Sequence, residues 1–120
     1  MTPKELEERL INFAVVIIRI ADGLKNTRAG NNMANQIVRS GTSPALNYGE
    51  AQSGESANDF KHKIQIVLKE LRETMVSLKI IRAAGLHSDL ELIESALKEN
   101  NELISIFVST VNTLRKNNKI

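Results

Sequence analysis

The apolar residues of this chain recur at helical spacing from one end to the other. Leu6, Leu10, Phe13, Ile17, Ala21 and Leu24 lie three and four apart, which places them on one face of a helix. Thr2-Pro3-Lys4-Glu5 starts that helix: Thr2 caps it, Pro3 suits the first helical position and Glu5 completes a capping box. Beside the first face, Ile11, Val15 and Ile18 form a second apolar stripe, too wide for a helix that touches only one neighbour. Asn26 to Asn32, with Gly30 inside, predicts the first loop. From Met33 to about Gln52 the helical spacing of Ala34, Ile37, Val38 and Leu46 is interrupted by Ser40-Gly41-Thr42-Ser43-Pro44. Pro44 has no backbone N–H and disfavours helical geometry at Ser43, so this stretch predicts two helical pieces or one helix kinked near Pro44. Its small residues also let a neighbouring backbone approach closely.

Gln52 to Glu55 reads as a loop, and Ser56-x-x-Asp59 opens the third helix. Phe60, Ile64, Val67, Leu71, Met75 and Leu78 supply its core face, and Gly85 closes it in a left-handed cap. Ser88-x-x-Glu91 caps a fourth helix that carries Leu90, Ile93, Leu97, Ile104, Phe107, Val111 and Leu114 inward and frays from Arg115 to Lys119. The short Ala84 to His87 connection makes helices three and four an antiparallel hairpin. The pattern as a whole predicts an all-α fold, an up-down-up-down antiparallel four-helix bundle in one domain covering residues 1–120.

Composition narrows the chemistry more than the fold. Of 120 residues 42% are hydrophobic but only 3% aromatic, so the core must be aliphatic. The absence of cysteine excludes disulfides, thiolate metal sites and cysteine nucleophiles. The chain opens on charged residues, and Arg19 breaks the apolar stretch from Phe13 to Ala21; no window offers the roughly 20 apolar residues of a membrane span. The expectation is a cytoplasmic protein with no membrane partner.

His62 and His87 are the only histidines, and both read as solvated surface residues. Di-metal carboxylate bundles need a Glu-x-x-His from each of two helices, whereas this chain has one near match, Asp59-x-x-His62. Its glycines are too scattered for a phosphate loop, and no Ser/His/Asp set is marked by spacing. The expectation is no enzymatic activity, no catalytic residue, no metal and no cofactor.

Charge is more informative. The formal net charge is +2, yet between Ser56 and Ala84 six basic residues face three acidic ones, a surplus of three. At 100° per residue Lys61, Lys69, Arg72 and Lys79 fall within about 80° of arc, a basic stripe that either tracks phosphates or is a solvated helix face. Asp59, Glu70, Glu73 and Ser77 share another arc of about 60°. Arg39 and Arg19 are the cations placed to neutralise it from other helices, in a polar network that fixes bundle register.

Several residues at fixed spacing carry a resemblance. Arg39-Ser40-Gly41-Thr42-Ser43, Asn47, Glu50-Ala51-Gln52, Asp59-Phe60, Lys63, Lys69-Glu70 and Glu73 resemble the signature of the 23S rRNA-intervening-sequence proteins, the small bacterial "four helix bundle protein" group. Motif-level similarity runs from about Gln36 to Glu73, and the length and helix layout extend it over the chain. The resemblance implies a bundle assembling into a ring, commonly a homopentamer, without enzymatic activity, in which Arg39, Asn47, Glu50, Asp59, Lys63, Glu70 and Glu73 are structural or interface residues. The family is similar to the accessory variability determinant of diversity-generating retroelements, a basic pentameric barrel that binds nucleic acid and a reverse transcriptase. That similarity implies RNA, DNA or a nucleic-acid-handling protein as partner, besides the chain itself. The second apolar stripe, Ile11, Val15 and Ile18, independently points to burial in a subunit interface. The alternative is a structural protein–protein interaction module with no nucleic-acid role.

Overall fold

The computed structural model describes residues 1–54 and 56–117. Four helices account for most of them: α1 (Pro3–Asp22), α2 (Arg28–Gln52), α3 (Ala57–Ala84) and α4 (Leu90–Asn117), with no strand among the described residues. Their ends follow local chemistry. The Thr2 hydroxyl accepts the Glu5 N–H, as the expected cap requires, and donates to the Glu5 carboxylate, which meets the Thr2 side chain and not its backbone N–H. Ser56 accepts the Asp59 N–H at the start of α3, and Gly85 ends that helix with φ +65°, the left-handed region that glycine enters without steric cost.

α1 packs on α2, α2 on α3, α3 on α4 and α4 on α1. The apolar faces meet in one mainly aliphatic core around Leu10, Ile17, Ile37, Leu71 and Ile93, with Phe13 and Phe107 among them. Tyr48 joins it, its ring edge-on to Phe107 with centroids 5.7 Å apart. Two buried polar contacts fix how the helices register. The Thr74 hydroxyl lies 2.9 Å from the Ser40 hydroxyl and 2.8 Å from the Glu70 carbonyl. Asn100, fully buried on α4, directs its amide nitrogen to the Leu71 carbonyl (3.1 Å) and its oxygen to the Met75 N–H (3.0 Å). A buried amide satisfied in one alignment only penalises slippage of α4 along α3.

Several expectations need correction. The first loop is shorter than Asn26 to Asn32: Thr27 accepts the Gly30 N–H and starts α2 at Arg28. Of the two alternatives for the second segment, two separate pieces and a single helix, α2 is the single helix, running through Pro44. Pro44 and Gly41 are both buried, and burial against α1 and α3 outweighs the local preference to break. α4 is capped by Asp89, whose carboxylate accepts the Leu92 N–H, and not by Ser88; Leu90 consequently faces solvent. The helix continues through Arg115 and Lys116 to Asn117, while Asn118 and Lys119 of the expected frayed tail lie outside the described residues, as does Glu55 of the expected loop. His87 is buried, with Nδ1 accepting the Asp89 N–H at 3.0 Å and Nε2 turned toward Gly23. It seats the α3–α4 connection on the α1–α2 connection, where the Lys25 N–H also donates to the Leu86 carbonyl at 3.0 Å.

Pro44→Ala is expected to stabilise the protein. The substitution restores a donor for the Ser40 carbonyl in a helix already formed, a gain of up to about 3 kcal/mol, offset by loss of a buried ring. A net rise of roughly 1 kcal/mol in urea unfolding is the predicted outcome; a fall would mean that the ring's packing dominates.

Candidate nucleic-acid interface

α3 buries one side against α2 and α4 and turns Lys69, Arg72 and Lys79 to solvent, with Lys61 half-buried near its start. None of these four pairs with a carboxylate within 4 Å among the described residues. Three acidic residues of α4, Glu94, Glu99 and Glu102, pair with other cations. Arg9 makes a two-pronged contact with Glu99 (2.7 Å) and reaches Glu102 (2.9 Å), which joins α1 to α4 and raises the Arg9 pKa further. Arg82 takes Glu94 at 2.8 Å. The stripe thus makes no ion pair among the described residues, although Lys69 acts through space on Glu70 and Glu73.

Two shallow grooves flank the stripe where α3 meets α4. In one, of about 330 Å³, Gln65, Lys69 and Arg72 face Val111 and Arg115. In the other, of about 320 Å³, Lys79 and Arg82 face Glu94, Lys98 and Asn101. Arg115 and Lys98 are additions from α4 that charge counting on α3 alone does not find; only the helix pairing brings them in. Val76 and Ile80 also stand exposed on α3, at 57% and 47%, so the face mixes cations with aliphatic side chains.

Apart from Lys69, which belongs to the stripe, most family-signature residues lie along the α2–α3 seam. Arg39 bridges Glu70 (3.5 Å) and Glu73 (2.9 Å), and Glu50 takes Lys63 at 3.3 Å. Asn47 donates to the Ser43 hydroxyl (2.8 Å) and carbonyl (3.0 Å) in the turn that contains Pro44. The expected network is thus present with Arg39, Glu70 and Glu73, and with Ser77 buried beside it, but without two of its expected members. Arg19 is exposed on α1, which does not pack on α3, and Asp59 is exposed in the first turn of α3. Burial, then the adjoining Glu73 carboxyl, hold Glu70 above the usual carboxylate range, whereas its hydrogen bond with Glu70 and the Arg39 guanidinium hold Glu73 below it.

These shifts predict the behaviour of Arg39→Ala. At neutral pH it leaves two adjacent carboxylates without their bridging cation, and a loss of about 1 kcal/mol is expected after allowing for the exposure of Arg39. A raised Glu70 pKa means stability present when the group is protonated and lost as pH rises through its folded value. The depressed Glu73 acts oppositely, but in a lower window, below the ordinary carboxylate range. The deficit of Arg39→Ala should therefore shrink as pH falls from 7 toward 5. A deficit that is constant in thermal melts across that range would contradict the pairing.

On α1, Ile11, Val15 and Ile18 are exposed at 48%, 39% and 42%, as the second stripe predicts, and Leu46 of α2 is exposed as well. Among the described residues no three His, Asp or Glu side chains converge as metal ligands, and Asp59 and His62 are both exposed. No helix among them is long and apolar enough to cross a membrane.

Comparison with known proteins agrees with the architecture. A crystal structure of a protein of unknown function from the S23 ribosomal protein family of Bacteroides thetaiotaomicron VPI-5482 superposes with a TM-score of 0.83 and 30% identity, covering 93% of this chain and 99% of that one. No curated protein matches the chain. The description of the 23S rRNA-intervening sequence protein family matches residues 5–109, nearly the whole of the four-helix unit and all of the α2–α3 signature. The chain therefore belongs to the 23S rRNA-intervening sequence protein family.

Proposed function

We propose that this protein is a non-enzymatic, cytoplasmic homo-oligomer of up-down-up-down four-helix bundles that contacts nucleic acid through the basic face of α3. The observation that carries the reading is that Lys69, Arg72 and Lys79 stand exposed without an ion pair among the described residues, while Glu94, Glu99 and Glu102 of α4 are committed to Arg82 and Arg9. An unneutralised row of cations on a rigid helix suits a phosphate backbone, where each contact releases counterions. Antiparallel neighbours are supported by the α2–α3 seam, in which Arg39 meets Glu70 and Glu73 while the later Glu50 meets the earlier Lys63.

Assembly is supported by the apolar stripe on α1. Exposed together in a lone subunit, Ile11, Val15 and Ile18 form a patch that association would cover. The ring of five follows from the family resemblance. Light scattering is expected to give a multiple of 13.3 kDa, five subunits on this reading, and Ile11→Lys with Ile18→Lys to release a folded monomer. A stable 13.3 kDa species for the unaltered protein at micromolar concentration would remove the oligomer.

A second reading, an interaction module whose partner is another protein, is favoured by Val76 and Ile80, because exposed aliphatics among cations suit an acidic amphipathic helix. Nucleic-acid binding at low salt separates the two.

A further inference from the structure

We infer that one groove of this face, where Gln65, Lys69 and Arg72 of α3 meet Arg115 of α4, is a discrete phosphate seat, and that the second groove, around Lys79 and Lys98, is not. The inference rests on the nucleic-acid reading above. It concentrates the binding of an extended stripe into one site and gives Arg115 and Gln65 a part in it.

Local geometry gathers these side chains. Gln65, Lys69 and Arg72 stand four and three residues apart, so they share one face of α3. Val111 and Arg115 stand four apart on α4 in the same way, and all five line a single groove of about 330 Å³. Leu68 lines it too and, like Val111, is buried, which makes the floor aliphatic and the rim polar. The rim is rich in donors: two guanidinium forks, one ammonium and the Gln65 amide, whose oxygen is the one side-chain acceptor. A guanidinium fork meets two oxygens of a phosphate at once. No carboxylate is among the residues lining this groove.

The second groove has nearly the same size and a different chemistry. Lys79, Arg82 and Lys98 share it with Glu94, and Glu94 takes Arg82 at 2.8 Å. A phosphate entering there meets a carboxylate that repels it and already holds the only guanidinium. Lys79 and Lys98 remain as point charges without a fork. The basic arc of α3 is therefore continuous in charge but not in what it can hold.

A cation in the last turn of a helix has an ordinary role of its own, since it faces the unpaired carbonyls at that end. Lys116 shares the last turn of α4 with Arg115 but does not line the groove. The two residues carry equal charge at adjacent positions, one inside the seat and one outside it.

The test is fluorescence anisotropy at low salt with a mixed-sequence RNA strand of roughly 20 nucleotides, labelled at its 3′ end and prepared with either a 5′-hydroxyl or a 5′-phosphate. Arg115→Gln is expected to weaken binding about fivefold or more, and Lys116→Gln less than about twofold. Lys79→Gln with Lys98→Gln removes two charges, yet it should weaken binding less than Arg115→Gln alone. Circular dichroism and light scattering should be the same for every variant. An Arg115→Gln loss shared by both strands assigns the seat to the phosphodiesters along a strand, and a loss confined to the phosphorylated strand assigns it to a terminal phosphate; either supports the seat. An Arg115→Gln loss no greater than that of Lys116→Gln, or a larger loss in the Lys79 and Lys98 double variant, would overturn the seat and leave binding by diffuse charge. Failure of the unaltered protein to bind either strand would overturn the reading beneath it.

Discussion

Lys69→Glu together with Arg72→Glu is expected to reduce nucleic-acid affinity on the order of a hundredfold at low salt, for every sequence alike. The pair contributes two of the three cations in one groove seat, and reversal turns attraction into repulsion at that point. It also moves the formal charge of the chain from +2 to −2, a change of four repeated in every subunit of an oligomer. Both side chains are exposed and neither pairs with a carboxylate among the described residues, so fold and assembly should survive. The check is equilibrium binding beside circular dichroism and light scattering of the same preparation. Unchanged binding in a folded, assembled variant would make the stripe an ordinary solvated face, and the protein-interaction reading would then stand in its place.

A large stability effect is expected at Gly41, where helix propensity and packing disagree in sign. Alanine is worth about 1 kcal/mol more than glycine in a helix interior, so propensity alone predicts that Gly41→Ala stabilises α2. The close approach of α1 reverses that sign. A Cβ at position 41 would lie 2.5 Å from Cγ2 of Ile17 and 2.9 Å from its Cβ and Cγ1. Ile17 is fully buried and branched at Cβ, so it cannot swing aside. A net loss of about 1–3 kcal/mol follows as the two helices are forced apart. On an Ile17→Ala background, itself costing about 2–5 kcal/mol, the added methyl should instead be neutral or favourable. Chemical unfolding of the four proteins in that cycle measures the coupling. Stabilisation by Gly41→Ala with Ile17 in place would show that α1 and α2 are less closely packed than described.

The parts of this fold legible in the sequence are those governed by period and by capping at the ends of long helices. Leu6 through Ala21 on α1 and Ile64 through Leu78 on α3 declare their buried faces by spacing, and Thr2, Ser56 and Gly85 mark ends by local chemistry. What was not legible depended on a neighbour. Pro44 breaks a helix in isolation but sits within one when α1 and α3 bury the turn around it. Ser88 and Asp89 are both competent caps, and the His87 ring, by accepting the Asp89 N–H, helps place Asp89 at the helix start. His87 reads as a surface residue because nothing local announces that Gly23, distant in sequence, leaves room for its ring.

The candidate site divides in the same way. The basic arc of α3 follows from arithmetic on one helix, as does the acidic arc that Arg39 bridges. Arg115 and Lys98 belong to the site only because α4 lies against α3, and Arg19 and Asp59 are excluded from the acidic network by helix pairing and by position along α3. Charge on one helix is readable; which charges face each other across two is not.

The most direct test of the central claim is the salt dependence of binding between the unaltered protein and a labelled RNA strand, begun at about 50 mM salt and extended to about 200 mM. A face that works by neutralising phosphates predicts measurable binding at the low end and a linear fall of log affinity with log salt. With several phosphates engaged per assembly, the slope should be steeper than about −3. Absence of binding at the lowest salt, or an affinity indifferent to salt, would contradict it.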